Sequence, residues 1–308
     1  MKEIIKELLF KLGLKKYQWK FITRYIIQTK NRILYSNSFL AEKKLKKEYF
    51  EAFKKELNLK NPVLFTEKIQ YRKLYPNNNL YTKCTDKYLV REYIKEKVGE
   101  KYLIPLYYVG EKITKNEWDK LPNSFVIKPN HDTANTEIIF NKELLKEKAD
   151  IIMKKLNLML KVNFGWCVLE KHYIGIKPQI IVEKLLLDKD GNIPNDYKFH
   201  CFKNKVYIQV IKRNIETHEL EMNYLNENWK ELNFETGGKI LKNIEKPKNL
   251  NEMLSVAKKL SEDFEYVRVD MYNIDGDIYF GELTFTPFSG LSRFNPEKWD
   301  FIFGEEWK

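Results

Sequence analysis

Apolar residues at helical spacing run through the first 60 positions of the chain. They recur at i, i+3 and i+4 between Lys and Glu, a pattern that predicts amphipathic helices. The positions are Ile4, Ile5, Leu8, Leu9 and Leu12 in the first stretch, and Leu45, Tyr49, Phe53 and Leu57 in AEKKLKKEYFEAFKKELNLK. Such helices could pack on the core, on a partner or on an anionic membrane surface, and packing on the core is the favoured interpretation.

Three further helices are predicted after the break at Asn61-Pro62. They cover TEKIQYRKLY, about 86–98 with Gly99 as the stop, and about 142–158. YLIPLYYVG between the last two predicts a short strand.

From residue 179 the pattern changes to strands separated by polar turns. The apolar segments are QIIVEKLLL, DYKFHCF, KVYIQVIKR, YVRVDMYNI and IYFGELTF. Gly, Asn and Asp between them are typical of turns. The chain is therefore predicted to be α+β, with a C-terminal sheet rich in antiparallel strands.

Composition narrows the class of protein. The 308 residues are 43% hydrophobic and 32% charged, as in a folded globular chain, and no apolar run has the length of a transmembrane helix. Cys84, Cys167 and Cys201 form no CxxC, and they are expected to be reduced thiols in a cytoplasmic protein. His200 and Cys201 are neighbours on a predicted strand, so they would point to opposite faces and form no zinc site.

The charge balance is strongly basic. A formal net charge of +12 and a pI of about 9.2 favour an anionic partner: a nucleotide, an acidic polysaccharide, a phospholipid surface or nucleic acid. The equally weighted alternative is a solvated basic face that follows from overuse of Lys.

The segment 268-RVDMYNIDGDIYFGELTF-285 carries the strongest chemical signal. Side chains alternate along a strand, so Arg268 and Asp270 share one face, and Glu282 and Thr284 share a face of the next strand. The alternative is a surface hairpin with ordinary charges. The apolar residues between the charged ones argue against full exposure.

The register of this hairpin decides whether the two carboxylates meet. A three-residue loop with Ile274 opposite Ile278 would place Asp270 opposite Glu282, whereas a two-residue loop would slip the pairing and separate them. Two carboxylates about 4 Å apart repel by roughly 4 kcal/mol at an effective dielectric constant near 20. Such a pair needs a proton or a cation, and Mg²⁺ commonly takes one or two protein carboxylates.

Three weaker elements accompany the hairpin. Lys128 ends an apolar strand, FVIKPN, where a half-buried Lys needs an anionic partner. Glu183 lies in the apolar strand IIVEKLLL. Lys198 shares a strand face with Asp196, and Arg213 ends the following strand; this suits a polyanion, or alternatively a solvated edge strand.

The order and spacing of these elements resemble the ATP-grasp superfamily over about residues 86–292. The resemblance implies an ATP-grasp fold with an N-terminal helical extension, and ATP and magnesium as cofactors. It assigns phosphate contacts to Lys128, Lys198, Arg213 and Arg268; adenine contacts to Glu183 and the backbone of Lys184 and Leu185; ribose contact to Asp190; and metal ligation to Asp270, Glu282 and Thr284. Arg268, Arg213 and Lys198 are the expected catalytic residues.

Two positions depart from the usual ATP-grasp pattern. Thr284 stands where that pattern has Asn, which affects the third metal ligand. The loop HDTANTE lacks the usual glycines, so Thr133, Ala134 and Asn135 would have to admit phosphates by their small size.

From about residue 60 the chain looks most like the TupA-like ATP-grasp family. The segments that carry this resemblance are LFTEKIQYRKLY, TDKYLVREYIKEKVGEKYLIPLYYVG, DYKFHCF and VRVDMYNI…IYFGELTFTPFSG. They imply a carboxylate–amine ligase that acts through an acyl phosphate in bacterial cell-surface polysaccharide synthesis: capsule, lipopolysaccharide or teichuronopeptide. The expected substrates are a small amine and a carboxylate in a uronic-acid-containing glycan.

The same resemblance implies how the chain is divided and where it acts. Residues 1–85 are expected to form a helical region, 86–124 a pre-ATP-grasp-like segment, 125–185 the first lobe, and 186–308 the second lobe with the metal and phosphate site. No nucleic-acid partner is expected. The expected location is the cytoplasm, with peripheral contact at the inner face of the membrane through the basic N-terminal helices as an open option.

Two other functions compete with this interpretation. A glycosyltransferase could hold a divalent ion with Asp188-Lys189-Asp190 or Asp275-Gly276-Asp277, although both triplets are also favoured turn sequences, and the turn explanation is preferred. A basic protein that binds polyanions without catalysis would explain the charge. It would leave Arg268, Asp270 and Glu282 unexplained.

Overall fold

A computed structural model describes residues 15–133, 135–213 and 219–308 of the chain. Two compact units divide them. The first contains the described residues of 1–41 and 105–185, and the second those of 42–104 and 186–308. The four-part division expected from the resemblance stays a prediction.

Both units contain helices and strands. The α-helices of the described residues are α1 (Lys16–Tyr35), α2 (Ser38–Phe53), α3 (Phe65–Leu74), α4 (Leu80–Thr85), α5 (Val90–Lys97), α6 (Lys115–Lys120), α7 (Glu147–Met159), α8 (Phe164–Val168), α9 (Leu250–Ser261) and α10 (Lys298–Glu306). The strands are β1 (Leu106–Gly110), β2 (Phe125–Pro129), β3 (Glu137–Ile139), β4 (Ile180–Glu183), β5 (Asp196–Phe202), β6 (Val206–Arg213), β7 (Leu220–Asn226), β8 (Lys239–Ile240), β9 (Tyr266–Ile274) and β10 (Asp277–Thr284).

The first unit is built on a four-stranded antiparallel sheet in the order β1-β4-β2-β3. Its core joins the strand residues Phe125, Ile127 and Val182 to Trp118 of α6 and Leu156 of α7, all of which are buried. The continuous apolar run of β4 is explained by its central place in the sheet, because every residue of that strand is buried.

The second unit is built on a six-stranded sheet in the order β10-β9-β5-β6-β7-β8, antiparallel except for β7 and β8. Helix α9 covers one face and packs Met253 and Ala257 among Phe199 and Val269. The other face carries an aromatic cluster from α3, α10, the sheet and the segments that connect them. Its members are Phe65, Phe202, Tyr207, Tyr224, Phe234, Tyr266, Phe294, Phe303 and Trp307.

The predicted helices that fall within the described residues are present, but several begin or end at other residues than predicted. Helix α2 ends at Phe53 because Lys54 is left-handed (φ 59°), so Leu57 lies beyond it but is still buried. Helix α5 begins at Val90 instead of residue 86, and Gly99 (φ 100°) follows its end as predicted. Helix α7 begins at residue 147, because 142–144 form a 3₁₀ turn. The helix predicted on Ile4 to Leu12 lies outside the described residues.

Within the described residues, no helix combines the length and the apolar character that crossing a membrane requires.

Candidate active site

The hairpin between β9 and β10 turns through two residues, Asp275 and Gly276. Both have positive φ, 53° and 104°, and Ile274 pairs directly with Asp277. A two-residue turn of this kind matches the twist of the strands and favours an Asp-Gly sequence. Of the two loop lengths that the sequence left open, the structure has the two-residue one, and Ile274 does not lie opposite Ile278.

A bulge at Gly281 nevertheless brings the carboxylates together. Phe280 pairs with Met271, but the ladder then shifts and Glu282 pairs with Asp270. The extra residue cancels the one-residue slip of the shorter turn. Glycine suits this position because a Cβ on Gly281 would lie 3.1 Å from the carbonyl oxygen of Asp270.

Asp270 lies at the centre of a network of buried charges. Arg268 donates to it through two hydrogen bonds, Nε to Oδ1 and Nη2 to Oδ2, each 2.7 Å long. Lys198, directly opposite on β5, donates to Oδ2 at 2.6 Å and also contacts Asp196 at 2.6 Å. A carboxylate has about four lone-pair positions, and three are occupied here. The remaining one is on Oδ1.

Glu282 forms the accessible side of the same network. Its Oε1 accepts hydrogen bonds from Thr284 Oγ1 at 2.8 Å and from Arg268 Nη2 at 3.3 Å. Lys87 Nζ lies 3.9 Å from Oε2. The Glu282 side chain is 34% exposed, so of the two carboxylates it is the one that an incoming ligand can reach.

Lys87 is a residue that the sequence reasoning missed. It lies in a turn formed by Asp86, whose Oδ1 accepts hydrogen bonds from the N–H groups of Tyr88 and Leu89. Asp86 was predicted to begin a helix, and this capping turn is the only signal near Lys87. Nothing local ties Lys87 to Glu282, which lies almost 200 residues away in the sequence.

The network keeps its charges through mutual stabilisation. Partial burial would raise the pKa of Glu282, but Lys87, Arg268 and Lys198 outweigh it and lower that pKa to about 2. Burial disfavours the charged form of Lys198, but Asp196 and Asp270 outweigh it and raise the pKa. Burial raises the pKa of Asp270, and the contacts with Arg268 and Lys198 oppose that rise.

The donor set fits a divalent ion of the magnesium type. Asp270, Glu282 and Thr284 present hard oxygen atoms from two adjoining strands, the kind of ligand that Mg²⁺ takes. Arg268 and Lys198 already form ion pairs with Asp270, so a metal ion would have to bind beside two positive charges. If the ion arrives with phosphate groups, the phosphate oxygens can also contact Arg268 and Lys198. A bare divalent ion would instead be repelled by these two cations.

His200 extends the same sheet face but is neutral. Its Nδ1 lies 2.9 Å from the hydroxyl of Tyr266 and its Nε2 lies 3.4 Å from Gln209 Oε1. Burial, followed by the charge of Arg268, lowers the pKa of His200 to about 3. Cys201 points to the opposite face, where its Sγ lies 3.8 Å from the carbonyl oxygen of Ala257. Among the described residues no group of three or more His, Cys, Asp and Glu side chains is placed to hold a metal ion.

Arg213 and Asp190 lie at some distance along the second unit. Arg213 is exposed at the end of β6, four residues beyond Gln209, which pairs with Lys198; that is about 14 Å along a strand. Asp190 is exposed in a turn. Their assignment to phosphate and ribose stays a prediction.

Both D-x-D triplets are turns. The Oδ1 of Asp188 accepts hydrogen bonds from the N–H groups of Asp190 at 2.9 Å and Asn192 at 2.8 Å. Asp275 occupies the left-handed position of the β9–β10 turn. These backbone roles explain Asp188 and Asp275 without a metal, which supports the turn interpretation over the glycosyltransferase.

In the first unit, Lys128 and Glu183 form an ion pair on neighbouring strands. Lys128 Nζ lies 2.6 Å from Glu183 Oε2, and the side chains are 16% and 9% exposed. β2 and β4 pair with Val126 opposite Glu183, so the two charged side chains are diagonal neighbours. The half-buried Lys128 thus has the anionic partner that its place in an apolar strand predicts.

The segment after Glu183 is tied to the same sheet. The N–H group of Lys184 donates to the carbonyl oxygen of Pro105 at 2.9 Å, so this donor is engaged within the sheet. The side chain of Lys184 is exposed and that of Leu185 is buried. Adenine recognition by this backbone stays a prediction.

The glycine-poor loop after β2 is held by side chains. Asp132 accepts a hydrogen bond from Arg24 at 2.8 Å, and Asn135 accepts one from Lys20 at 2.9 Å. Asp132 and Asn135 are both buried, and Ala134 lies outside the described residues. The loop has polar anchors where a glycine-rich loop would have a bare backbone.

A family model describes most of this chain. The model of the TupA-like ATP-grasp proteins matches residues 67–308, which include the whole hairpin and its network. The chain belongs to the TupA-like ATP-grasp family. This membership confirms the predicted family, the mixed α and β fold class and the expectation of an ATP-grasp enzyme.

Solved structures of ligases resemble the chain at low identity. A D-alanine–D-alanine ligase from Bacillus anthracis complexed with ATP is 18% identical, with 67% of this chain and 55% of that chain covered and a TM-score of 0.37. An L-amino acid ligase from Bacillus licheniformis is 13% identical, with 81% and 56% covered and a TM-score of 0.43. The ATP-grasp ligase PsnB, complexed with a precursor variant, Mg and ADP, is 15% identical, with 75% and 61% covered and a TM-score of 0.39.

The chain spans about 55 to 61% of the length of these structures, and the likeness carries no argument about its substrate. Among curated proteins, none matches the chain.

Proposed function

We propose that this protein is an ATP- and Mg²⁺-dependent carboxylate–amine ligase. The observation that carries the proposal is the pairing of Asp270 with Glu282 beside Arg268 and Lys198, within an ATP-grasp chain. Hard oxygen ligands next to fixed cations are what phosphoryl transfer requires, because that reaction depends on positioning and on charge stabilisation.

The proposed reaction has two balanced steps. The substrate carboxylate takes the γ-phosphoryl group of ATP, which gives an acyl phosphate and ADP. An amine then attacks the acyl carbon, so that a C–N bond forms, the C–O bond to phosphate breaks, and an amide, inorganic phosphate and a proton are released. Magnesium, when bound, supplies Lewis-acid neutralisation of the phosphate oxygens.

The residues of the network have distinct tasks in this proposal. Glu282 and Asp270 hold the ion, with Thr284 as a neutral oxygen beside them. Arg268 and Lys198 already present N–H donors to carboxylate oxygens, and the same donors suit phosphate oxygens. Arg213, at the exposed strand end, would contact the phosphates as a further cation.

Further residues assigned to the nucleotide are Lys128, Glu183, Lys184 and Leu185 of the first unit and Asp190 of the second. Lys128 is paired with Glu183, so phosphate would compete with that carboxylate for the ammonium group. Glu183 and the segment at Lys184 and Leu185 are proposed for adenine, and Asp190 for ribose.

The positive charges of the network should affect how magnesium binds. Three cations, Lys87, Lys198 and Arg268, lie close to its carboxylates. A bare divalent ion adds charge to this group, whereas Mg²⁺ that arrives with ATP brings a net negative charge. We therefore expect magnesium to bind with the nucleotide and weakly without it.

The substrate class and pathway are part of the proposal. Bacterial cell-surface polysaccharide synthesis, with a uronic-acid glycan as the acid and a small amine as the partner, follows from the family resemblance. The net charge of +12 is suited to an acidic glycan. The proposed location is the cytoplasm, where ATP is available.

One experiment tests this function in two arms. Calorimetry should show saturable binding of ATP with Mg²⁺, and much weaker binding of Mg²⁺ alone. A screen for ADP release should then show turnover that needs both a uronic-acid glycoside and an amine. Absence of heat and of any thermal shift at millimolar ATP would contradict nucleotide use. ATP binding without acid-dependent ADP release would contradict the ligase reaction alone.

A further inference from the structure

Helix α1 has an unusual distribution of polar and apolar residues. Lys20, Arg24, Gln28 and Asn31 fall within about 80° of the helix circumference at about 100° per residue. All four make hydrogen bonds within the first unit. A helix of a water-soluble domain ordinarily turns its apolar face inward, so four polar residues on the inward side of α1 depart from the usual arrangement.

The inward contacts are specific. Besides the bonds of Lys20 and Arg24 to the loop after β2, Gln28 Nε2 donates to the carbonyl oxygen of Lys161 at 3.2 Å. Asn31 is 3% exposed and donates to the carbonyl oxygen of Trp166 at 2.8 Å. These bonds define which side of α1 faces the unit.

The outward side of α1 is apolar. Tyr25, Ile26 and Ile33 are 47%, 55% and 71% exposed, and they fall within about 100° on the side opposite the hydrogen-bonding residues. Phe39 and Leu40 at the start of α2 are also exposed, at 71% and 40%. Five exposed large apolar side chains within 16 residues are of the kind that marks an interaction surface. We call Tyr25, Ile26, Ile33, Phe39 and Leu40 the outer apolar patch.

Cations border this patch. Arg32 lies about 20° beyond Tyr25 and Lys30 about 40° beyond Ile26 on the helix circumference, and both are exposed. Residues 15–41 contain six Lys and Arg and no Asp or Glu. With 43 acidic residues in 308, about four would be expected in a stretch of this length. The missing acids indicate an anionic surface as the partner.

We propose that the outer apolar patch of α1 and the start of α2, with Lys30 and Arg32, docks this protein on an anionic phospholipid bilayer. The apolar side chains enter the boundary between headgroups and acyl chains, and the bordering cations contact the lipid phosphates. The patch precedes residue 67, where the family match begins, so it belongs to this chain's own N-terminal part. The proposal does not depend on the reaction that the enzyme catalyses.

The test uses the full chain with vesicles. Wild-type protein should float with vesicles of phosphatidylcholine and phosphatidylglycerol, weakly with phosphatidylcholine alone, and less as salt increases. Ile26→Ser combined with Ile33→Ser should weaken binding at least tenfold. Lys30→Gln combined with Arg32→Gln should weaken it about fivefold per charge.

A matched control comes from the same unit. Leu144 is 77% exposed and Lys148 is exposed, and both lie outside the outer apolar patch. Leu144→Ser combined with Lys148→Gln should leave vesicle binding within about twofold of wild type, since neither residue belongs to the proposed surface. Thermal melts confirm that every variant is folded.

Three outcomes would overturn the proposal. Wild-type protein that stays unbound with anionic vesicles would do so. Equal loss in the control pair would show non-specific adsorption. Light scattering that shows a dimer dissociated by the Ile26 and Ile33 changes, without vesicle binding, would assign the patch to a second copy of the chain.

Discussion

Two carboxylates, Glu183 in the first unit and Asp270 in the second, are both buried but have different ion-pair partners. Glu183 pairs with the flexible ammonium of Lys128, which is 16% exposed. Asp270 accepts two bonds from the planar guanidinium of Arg268 and one from Lys198. The guanidinium fork holds a carboxylate in one orientation, whereas an ammonium on a four-carbon stem can turn toward another anion. The second unit therefore offers a preformed network, and the first an adaptable pair.

The largest expected effect concerns Glu282, the accessible member of the network. Glu282→Gln keeps the shape but removes a charge that the proposed metal needs, so turnover should fall by about 10³-fold or more. ADP release with the matched acid and amine measures this, beside a thermal melt. Asp277→Asn in the same hairpin is the control, because Asp277 is exposed at the start of β10, next to the turn.

Near-parental turnover in folded Glu282→Gln would refute the assignment of the metal site to the network. Comparable loss in Asp277→Asn would instead favour a D-x-D metal site and the glycosyltransferase.

Stability should distinguish the two carboxylates next. Asp270→Asn leaves Arg268 and Lys198 without their shared charge in a buried place, which should lower the free energy of unfolding by about 3 to 5 kcal/mol. Glu183→Gln should lower it by about 1 to 2 kcal/mol, since Lys128 can extend toward water. Urea unfolding of the three proteins measures both values, and equal losses would contradict the contrast.

ATP affinity tests one lysine from each unit, Lys128 beside Glu183 and Lys198 beside Asp270. Lys128→Ala and Lys198→Ala each remove a charge-assisted contact to phosphate, so each should weaken ATP binding about 10- to 100-fold. Calorimetry with Mg²⁺ and ATP measures the loss, and Lys148→Ala on the exposed face of α7 provides the control. If one of these variants binds ATP as tightly as wild type, the lysine that it lacks has a structural role and does not contact phosphate.

The smallest expected effect is a pH dependence. The pKa of Glu282 is about 2 in the folded chain, below its ordinary value of about 4.3 in the unfolded chain. Its contribution to stability is therefore fully present above about pH 4.3 and is lost as pH falls toward 2. The difference in unfolding free energy between wild type and Glu282→Gln should shrink over that range. A difference that stays constant with pH, or that shrinks equally for exposed Glu231→Gln, would contradict the shift.

The hairpin shows how far sequence reasoning could reach. The alternation of Arg268, Asp270, Glu282 and Thr284 predicted their shared faces, and the structure bears this out. The loop length was left open by the sequence, and the structure selects the two-residue Asp-Gly turn. Glu282 still pairs with Asp270, because the bulge at Gly281 adds the one residue by which the two-residue turn is shorter. A glycine in a strand is a weak signal for a bulge, and it is visible here only in retrospect.

The N-terminal helices show a different limit. Leu45 and Tyr49 of α2 are buried, in agreement with the favoured packing on the core. On α1 the polar face turned inward instead. Periodicity locates the faces of a helix, but it cannot say which face finds partners when the rest of the unit presents Asp132 and backbone carbonyl groups.

The sequence by itself determined the family, the class of fold and the residue types of the candidate site, because local alternation and residue chemistry are properties of short segments. Only the tertiary structure decided that Glu282 meets Asp270, that Lys87 approaches Glu282, and that α1 turns its polar side inward. Each of these depends on pairings between distant segments. In a sheet a slip of one residue reverses every side chain, so the register follows from the summed contacts of all the strands and from no single segment.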